Sequence, residues 1–169
     1  MKKTILIFAM LTLCFSAVST AQSDVVDVAI SSKDHTTLVT AVKAAGLVNT
    51  LKGEGPFTVF APTNTAFDAL PEGTLESLLK PEAKNKLSAI LTYHVVAGNF
   101  KAADVIAAIK NGAGKFIINT VNGGSLTASL KGNNVILTDT NGNVATITAT
   151  DLKASNGIVH VIDSVVLPK

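Results

Sequence analysis

Three histidines, His35, His94 and His160, are the side chains of this sequence best suited to proton transfer or metal ligation. They lie far apart, and no two have the i, i+4 spacing that brings imidazoles together on one helix face. There is no Gly-x-Ser-x-Gly elbow, and the single cysteine, Cys14, falls in an N-terminal apolar run, so covalent catalysis has no nucleophile. Hydrolysis would need a histidine cluster assembled only on folding. Asp139-x-Asn141-x-Asn143 begins like a calcium loop. Its glycine is misplaced at 142, and Thr150 stands where the bidentate glutamate belongs, so turn formation explains it better. Gly114-Lys115 is a chance match to a phosphate loop, because Ile109 and Phe116 occupy positions that need other residues. These patterns predict no enzyme, no metal and no cofactor.

Tyr93-His94 is the remaining candidate for recognition, together with Leu91 just before it. A tyrosine and a histidine at a helix-to-strand junction can offer rings and polar tips to a partner. They can equally tie the junction together through hydrogen bonds while their rings pack. Both readings are carried forward. His160 is expected to be a buried histidine with both ring nitrogens hydrogen-bonded, since leaving them unpaired costs about 1–3 kcal/mol. Asp163 is expected to turn toward loop backbone or solvent.

The elements that must position these residues follow from periodicity. The first half reads as helical. Leu38, Val39, Val42 and Ala45 line one face of a helix from His35 to Ala45, with Asp34 as its cap and Gly46 as its stop. In GPFTVFAPTNTAFDALP (55–71), Thr58, Val59 and Phe60 form a strand. Thr63 or Asn64 then caps a helix carrying Ala66, Phe67 and Leu70 and ending at Pro71. Thr74 to Leu79 makes a short helix, Pro81 opens the next, and Ala83, Leu87, Ile90 and Leu91 form its buried stripe. A further helix runs from Ala102 to Lys110. From Phe116 onward the period changes to two, with turns at Asn122-Gly123-Gly124, Gly132-Asn133-Asn134, Asp139–Gly142 and Ser155-Asn156-Gly157. The last strand, Ile158 to Leu167, is apolar on both faces and belongs in the middle of a sheet. Helices segregated from antiparallel strands predict an α+β domain.

Met1-Lys2-Lys3, an apolar run from Ile5 to Val18 and Ser19-Thr20-Ala21 have the order of a secretory signal peptide, with cleavage expected after Ala21. Leu13 before Cys14 disfavours a lipidation signal. The run is too short for a comfortable membrane span. Removing residues 1–21 of 169 leaves 148 residues, enough for one domain from 22 to 169. Lys2 and Lys3 leave with the signal, so 12 basic residues face 12 acidic ones, and none of the basic residues is arginine. This balance predicts no nucleic-acid partner. It also excludes an Arg-Gly-Asp adhesion tripeptide.

Three ordered segments resemble those of fasciclin-like domains: GPFTVFAPTNTAFDALP at 55–71, LTYHVVAG at 91–98 and NGIVHVIDSVVLP at 156–168. The resemblance implies a wedge-shaped antiparallel β-sandwich with several helices packed on it. Phe60, Pro62, Thr63, Asn64, Phe67, Asn156, Gly157, His160 and Asp163 then serve as structural motif residues. It implies a secreted or periplasmic adhesion module without cofactor, acting in cell-surface or matrix (biofilm-type) association through weak protein or glycan contacts. In adhesive relatives the segment corresponding to Tyr93 and His94 is implicated in receptor binding, which makes these two, with Leu91, the candidate binding residues. Weak self-association would add avidity. The alternative reading is a carrier of a small apolar ligand, a lipid or pigment, as some fasciclin-like proteins are. An aromatic content of 5% without tryptophan speaks mildly against it.

Overall fold

The computed structural model describes residues 23–169, and the expected signal peptide lies outside the described residues. Helix α1 (Val25–Ser31) opens on a capping box. The Asp24 carboxylate accepts from the Val26 and Asp27 N–H groups, and that of Asp27 accepts from Asp24 N–H. Lys52 Nζ lies 2.8 Å from both carboxylates. Burial opposes ionisation of Asp24, but Lys52 and the helix N–H groups outweigh it and hold its pKa below the ordinary value.

The expected helix from His35 starts one residue later, and Asp34 does not cap it. Ser32 caps a single 3-10 turn over Lys33–His35, after which α2 runs Thr36–Ala45 and stops at Gly46, with φ 73°. Next come α3 (Val48–Leu51), β1 (Phe57–Pro62) and α4 (Asn64–Asp68). Thr63 is the cap of α4, its hydroxyl accepting from Ala66 N–H at 3.3 Å. Asn64 instead ties α4 to α2. It accepts from Thr37 N–H and donates to the Lys33 carbonyl. Then follow α5 (Thr74–Leu79), a 3-10 turn at Pro81–Ala83, α6 (Lys84–Tyr93), β2 (Val95–Ala97) and α7 (Ala102–Asn111). The rest is β3 (Lys115–Asn119), β4 (Ser125–Lys131), β5 (Asn134–Thr138), β6 (Val144–Ala154) and β7 (Gly157–Ile162).

The seven strands form one mixed sheet in the order β2-β1-β7-β6-β5-β4-β3. One pairing departs from the antiparallel expectation: β1 and β7 run parallel, from Phe57 beside Gly157 to Pro62 beside Ile162. Val121 N–H donates to the Val95 carbonyl at 2.8 Å, bringing the end of β3 back to β2 and nearly closing the sheet on itself. The fold is α+β, as expected. Strand β7 is central, but it ends at Ile162 rather than Leu167. There Asp163 accepts from Thr146 N–H at 2.7 Å, and the chain leaves the sheet as a C-terminal strap.

Two cores result. Helices α1 to α6 bury Leu38, Val42, Phe67, Leu87, Leu91 and others against Val59 and Val159. The inside of the curled sheet buries Phe60, Tyr93, Ile118, Leu126, Leu137 and Ile162, closed at one end by Val105 and Ile109 of α7. Each fully buried aliphatic side chain contributes about 1.5–3 kcal/mol.

The start of the parallel pair leaves no room for side chains. A Cβ on Gly157 would lie 2.0 Å from the Phe57 carbonyl oxygen, and one on Gly55 the same distance from that of Asn156. Asn156 accepts from Val25 N–H at 3.0 Å and donates to the Leu51 and Gly53 carbonyls at 2.7 and 3.0 Å. It thereby fastens α1 and the turn after α3 to the root of β7. Asn156→Ala is therefore expected to cost about 2–4 kcal/mol, read as a lowered urea midpoint. Gly157→Ala is expected to abolish the cooperative transition, because the opposing atom is backbone. An alanine at 157 with near-native stability would show that the strands can separate here.

Candidate functional site: the tyrosine–histidine junction

Helix α6 delivers Leu91, Tyr93 and His94 in different directions because successive residues are 100° apart around its axis. Leu91 enters the helical core and Tyr93 the sheet core, while His94, the C-cap residue, lies between them. Tyr93 is fully buried, and its hydroxyl donates to the Ser125 carbonyl at 2.6 Å. The Asn122-Gly123-Gly124 turn covers its ring. A Cβ on Gly124 would lie 2.7 Å from that ring, so glycine is required there for space. Asn122 shapes the turn, accepting from Gly124 N–H and the Thr120 hydroxyl and donating to the Ala89 carbonyl of α6.

His94 is 2% exposed, and its partners define its tautomer. Nδ1–H donates to the Ile90 carbonyl at 2.8 Å, and Nε2 accepts from Val166 N–H of the strap at 3.3 Å. Burial drives its pKa down to about 4, against the opposing pull of the Ile90 carbonyl and the Asp139 charge. The ring is neutral, as its acceptor role toward Val166 requires.

Asp139 secures the strap from the other side. One carboxylate oxygen accepts from Asn141 and Asn143 N–H, the other from the Asn143 side chain and Leu167 N–H, all at 2.8–2.9 Å. Asn141 donates to the Leu167 carbonyl at 3.0 Å. The carboxylate positions a calcium ion would use are taken by N–H donors, so the loop is an anchor. Sequence reasoning recognised the turn but not its strap. The Asx pattern Asp-x-Asn-x-Asn was the available signal.

The other histidines are separate. His160 stacks on Phe60 with centroids 5.8 Å apart, donates from Nε2 to the Phe100 carbonyl at 2.8 Å and accepts from Asp151 N–H at Nδ1. Asp151, with φ 58°, accepts from Ala102 N–H at the start of α7, a role its sequence position does not announce. His35 is buried with Nδ1 2.8 Å from the Ser32 hydroxyl and, among the described residues, no hydrogen-bond partner at Nε2. Burial lowers its pKa, against Asp34 and the Ala61 backbone. Among the described residues, no three His, Cys, Asp or Glu side chains converge as a metal site.

Leu91, Tyr93 and His94 therefore do not offer side-chain surface to a partner, contrary to the reading of them as direct contacts. Their polar atoms are consumed by the fold. The apolar chamber beside them, lined by Val25, Ala29, Leu38, Val59, Leu91 and His94, measures about 30 Å3. That is room for a water-sized molecule, far short of a lipid or pigment.

Comparison with known proteins places this geometry. The fasciclin domain family model matches residues 33–168. The chain belongs to the fasciclin domain family. It is 49% identical over 157 residues to protein sll1483 of Synechocystis sp., covering 90% of this chain and 80% of that protein. It is 34% identical over 158 residues to the cell surface glycolipoprotein MPB83 of Mycobacterium bovis, covering 90% and 64%. Its fold matches a FAS1 domain pair from the insect cell adhesion molecule fasciclin I with a TM-score of 0.62 at 21% identity, covering 77% of this chain and 45% of that one. Helix α1 precedes the stretch matched by the fasciclin domain, yet it packs into the helical core.

The His94 environment sets a pH dependence. Its folded pKa of about 4 lies below the unfolded value of 6.5, so the unfolded chain binds more protons between them. The contribution is fully present above pH 6.5 and is lost as pH falls toward 4, by on the order of 3 kcal/mol. Urea midpoints at pH 7 and pH 5 measure the slope. His94→Gln is expected to be less stable at pH 7 and to have a flatter profile; an unchanged slope would remove His94 as its source.

Proposed function

We propose that this fasciclin domain is an exported, non-enzymatic adhesion module that attaches to a cell surface or matrix through weak protein or glycan contacts. The observation that carries the reading is membership of an adhesion family over residues 33–168. A relative named as a cell surface glycolipoprotein and a structural neighbour from a cell adhesion molecule support the location and the role. Among the described residues no helix is long and apolar enough to cross a membrane. Leu91, Tyr93 and His94 act in this reading as positioning residues. Leu91 seats α6 in the helical core, Tyr93 holds the β3–β4 hairpin, and His94 holds the C-terminal strap.

Weak single contacts become useful when several copies share a surface. Beads carrying the mature protein densely are expected to be retained on the producing cells, and beads carrying it sparsely to be retained at least about tenfold less. Tyr93→Phe keeps the ring and loses one hydrogen bond, at about 1–2 kcal/mol of stability. Its beads should bind like the parent below the melting transition. Loss of retention by a folded Tyr93→Phe protein would instead place the partner at the junction itself. Failure of dense beads on cells and on cell-free matrix alike would end the adhesion reading.

A further inference from the structure

The outer face of β3 to β6, opposite the sheet core, carries a chemistry the junction lacks. Its outward residues are set in register across the strands. Lys115, Ser129, Ile136 and Thr146 form one row, and Ile117, Thr127, Thr138 and Val144 the next. Lys131 and Asn134 continue it at one end. Helix α7 packs on these strands from the other side, through Val105 and Ile109 in the sheet core. Ile117 is 66% exposed, the highest value among the large apolar residues found at the surface.

The charge on this lobe is one-sided. No Asp or Glu occurs between Asp104 and Asp139, a stretch that contains Lys110, Lys115 and Lys131. The bordering carboxylates are already occupied. Asp139 is buried and bonded to four N–H groups, Asp151 within β6 accepts from Ala102 N–H, and Asp163, just after β7, accepts from Thr146 N–H. The balancing acids lie elsewhere, with Glu54 just before β1 and Asp68, Glu72, Glu76 and Glu82 between β1 and α6. An overall neutral mature chain thus presents a locally positive, open face rich in hydroxyls.

We propose that this face binds an extended acidic polysaccharide. The lysines pair with its carboxylates, the Ser and Thr rows with its hydroxyls, and Ile117 packs under the apolar side of a sugar ring. Lys115 lies beside Ser129, and Lys131 is two residues along the same strand, so the lysines are diagonal neighbours about 7–8 Å apart. One polymer chain can engage both. The openness of the face suits a ligand laid across strands rather than a compact one inserted in a pocket. The proposal rests on the adhesion reading and names the face and the chemistry of its partner.

Retention of the mature protein on immobilised polygalacturonate tests it, with dextran as the uncharged polymer and duplex DNA as the rival polyanion. Binding to polygalacturonate is expected at low salt, falling as salt shortens the range of the charges. Lys115→Glu/Lys131→Glu should weaken it on the order of tenfold, while Lys33→Glu/Lys43→Glu, the same charge change beside and on α2, should leave it near the parent value. Thermal melts confirm that both variants are folded. Equal loss in both variants, equal retention on dextran, or tighter binding to DNA would overturn the proposal. A protein that adheres to cells yet ignores polygalacturonate sinks this inference alone, whereas one that binds neither sinks the adhesion reading as well.

Discussion

The parallel pairing of β1 with β7 is the constraint on which the architecture depends. Parallel neighbours cannot be joined by a tight turn; they need a crossover. Here that crossover is most of the domain, residues 63 to 156, carrying α4 to α7 and β2 to β6. The register is anchored where the backbones come closest, at Gly55, Phe57, Asn156 and Gly157. Asn156 extends the same anchor to α1 and the turn after α3. Closing so long a loop is entropically costly, though the cost grows only slowly with length. Two contiguous cores offset it, and β1 and β7 contribute residues to both.

The second requirement is to join those cores without a polar gap between them. The α6–β2 junction does this with Leu91 on one side, Tyr93 on the other and His94 at the boundary. A neutral imidazole suits the place because it donates to one backbone group and accepts from another. His160 repeats the arrangement at the mouth of the sheet core, bridging Phe100 and Asp151. Both rings act as two-ended connectors between backbone segments distant in sequence. Charging His94 would convert its accepting nitrogen into a donor facing the Val166 N–H.

Much of this was legible in the sequence, and the misses share a cause. Helices with clear apolar stripes and strands bounded by Asn-Gly turns were readable because their signals are local. A cap at Thr63 or Asn64 and the central position of β7 were readable for the same reason, and the structure assigns the cap to Thr63. The parallel β1–β7 pair was hidden because its partners lie about a hundred residues apart. The strap after Ile162 looked like strand because Val165, Val166 and Leu167 continue the apolar run. Asp139, Asn141 and His94, each remote in sequence, hold it away from the sheet. Tyr93–His94 drew attention as a site because ring and polar tip read alike at a contact and in a core. Depth decides between them, and depth is a tertiary quantity.

That burial bears on how such a domain can adhere. A residue whose every polar atom is paired inside the fold has little left to offer a partner, and extracting it would expose those unpaired groups. Recognition is cheaper where side chains are already solvated and the backbone beneath them is held. The outer face of β3 to β6 has both properties: its strands are backed by Ile118, Leu126 and Leu137, while its lysines and hydroxyls stay outside. Its rigidity comes partly from Tyr93, which ties α6 to the Ser125 carbonyl at the start of β4. Loss of that tie lowers the stability of the fold and leaves every side chain of the outer face in place. The junction therefore serves the fold that presents this face, and its own polar atoms stay paired inside.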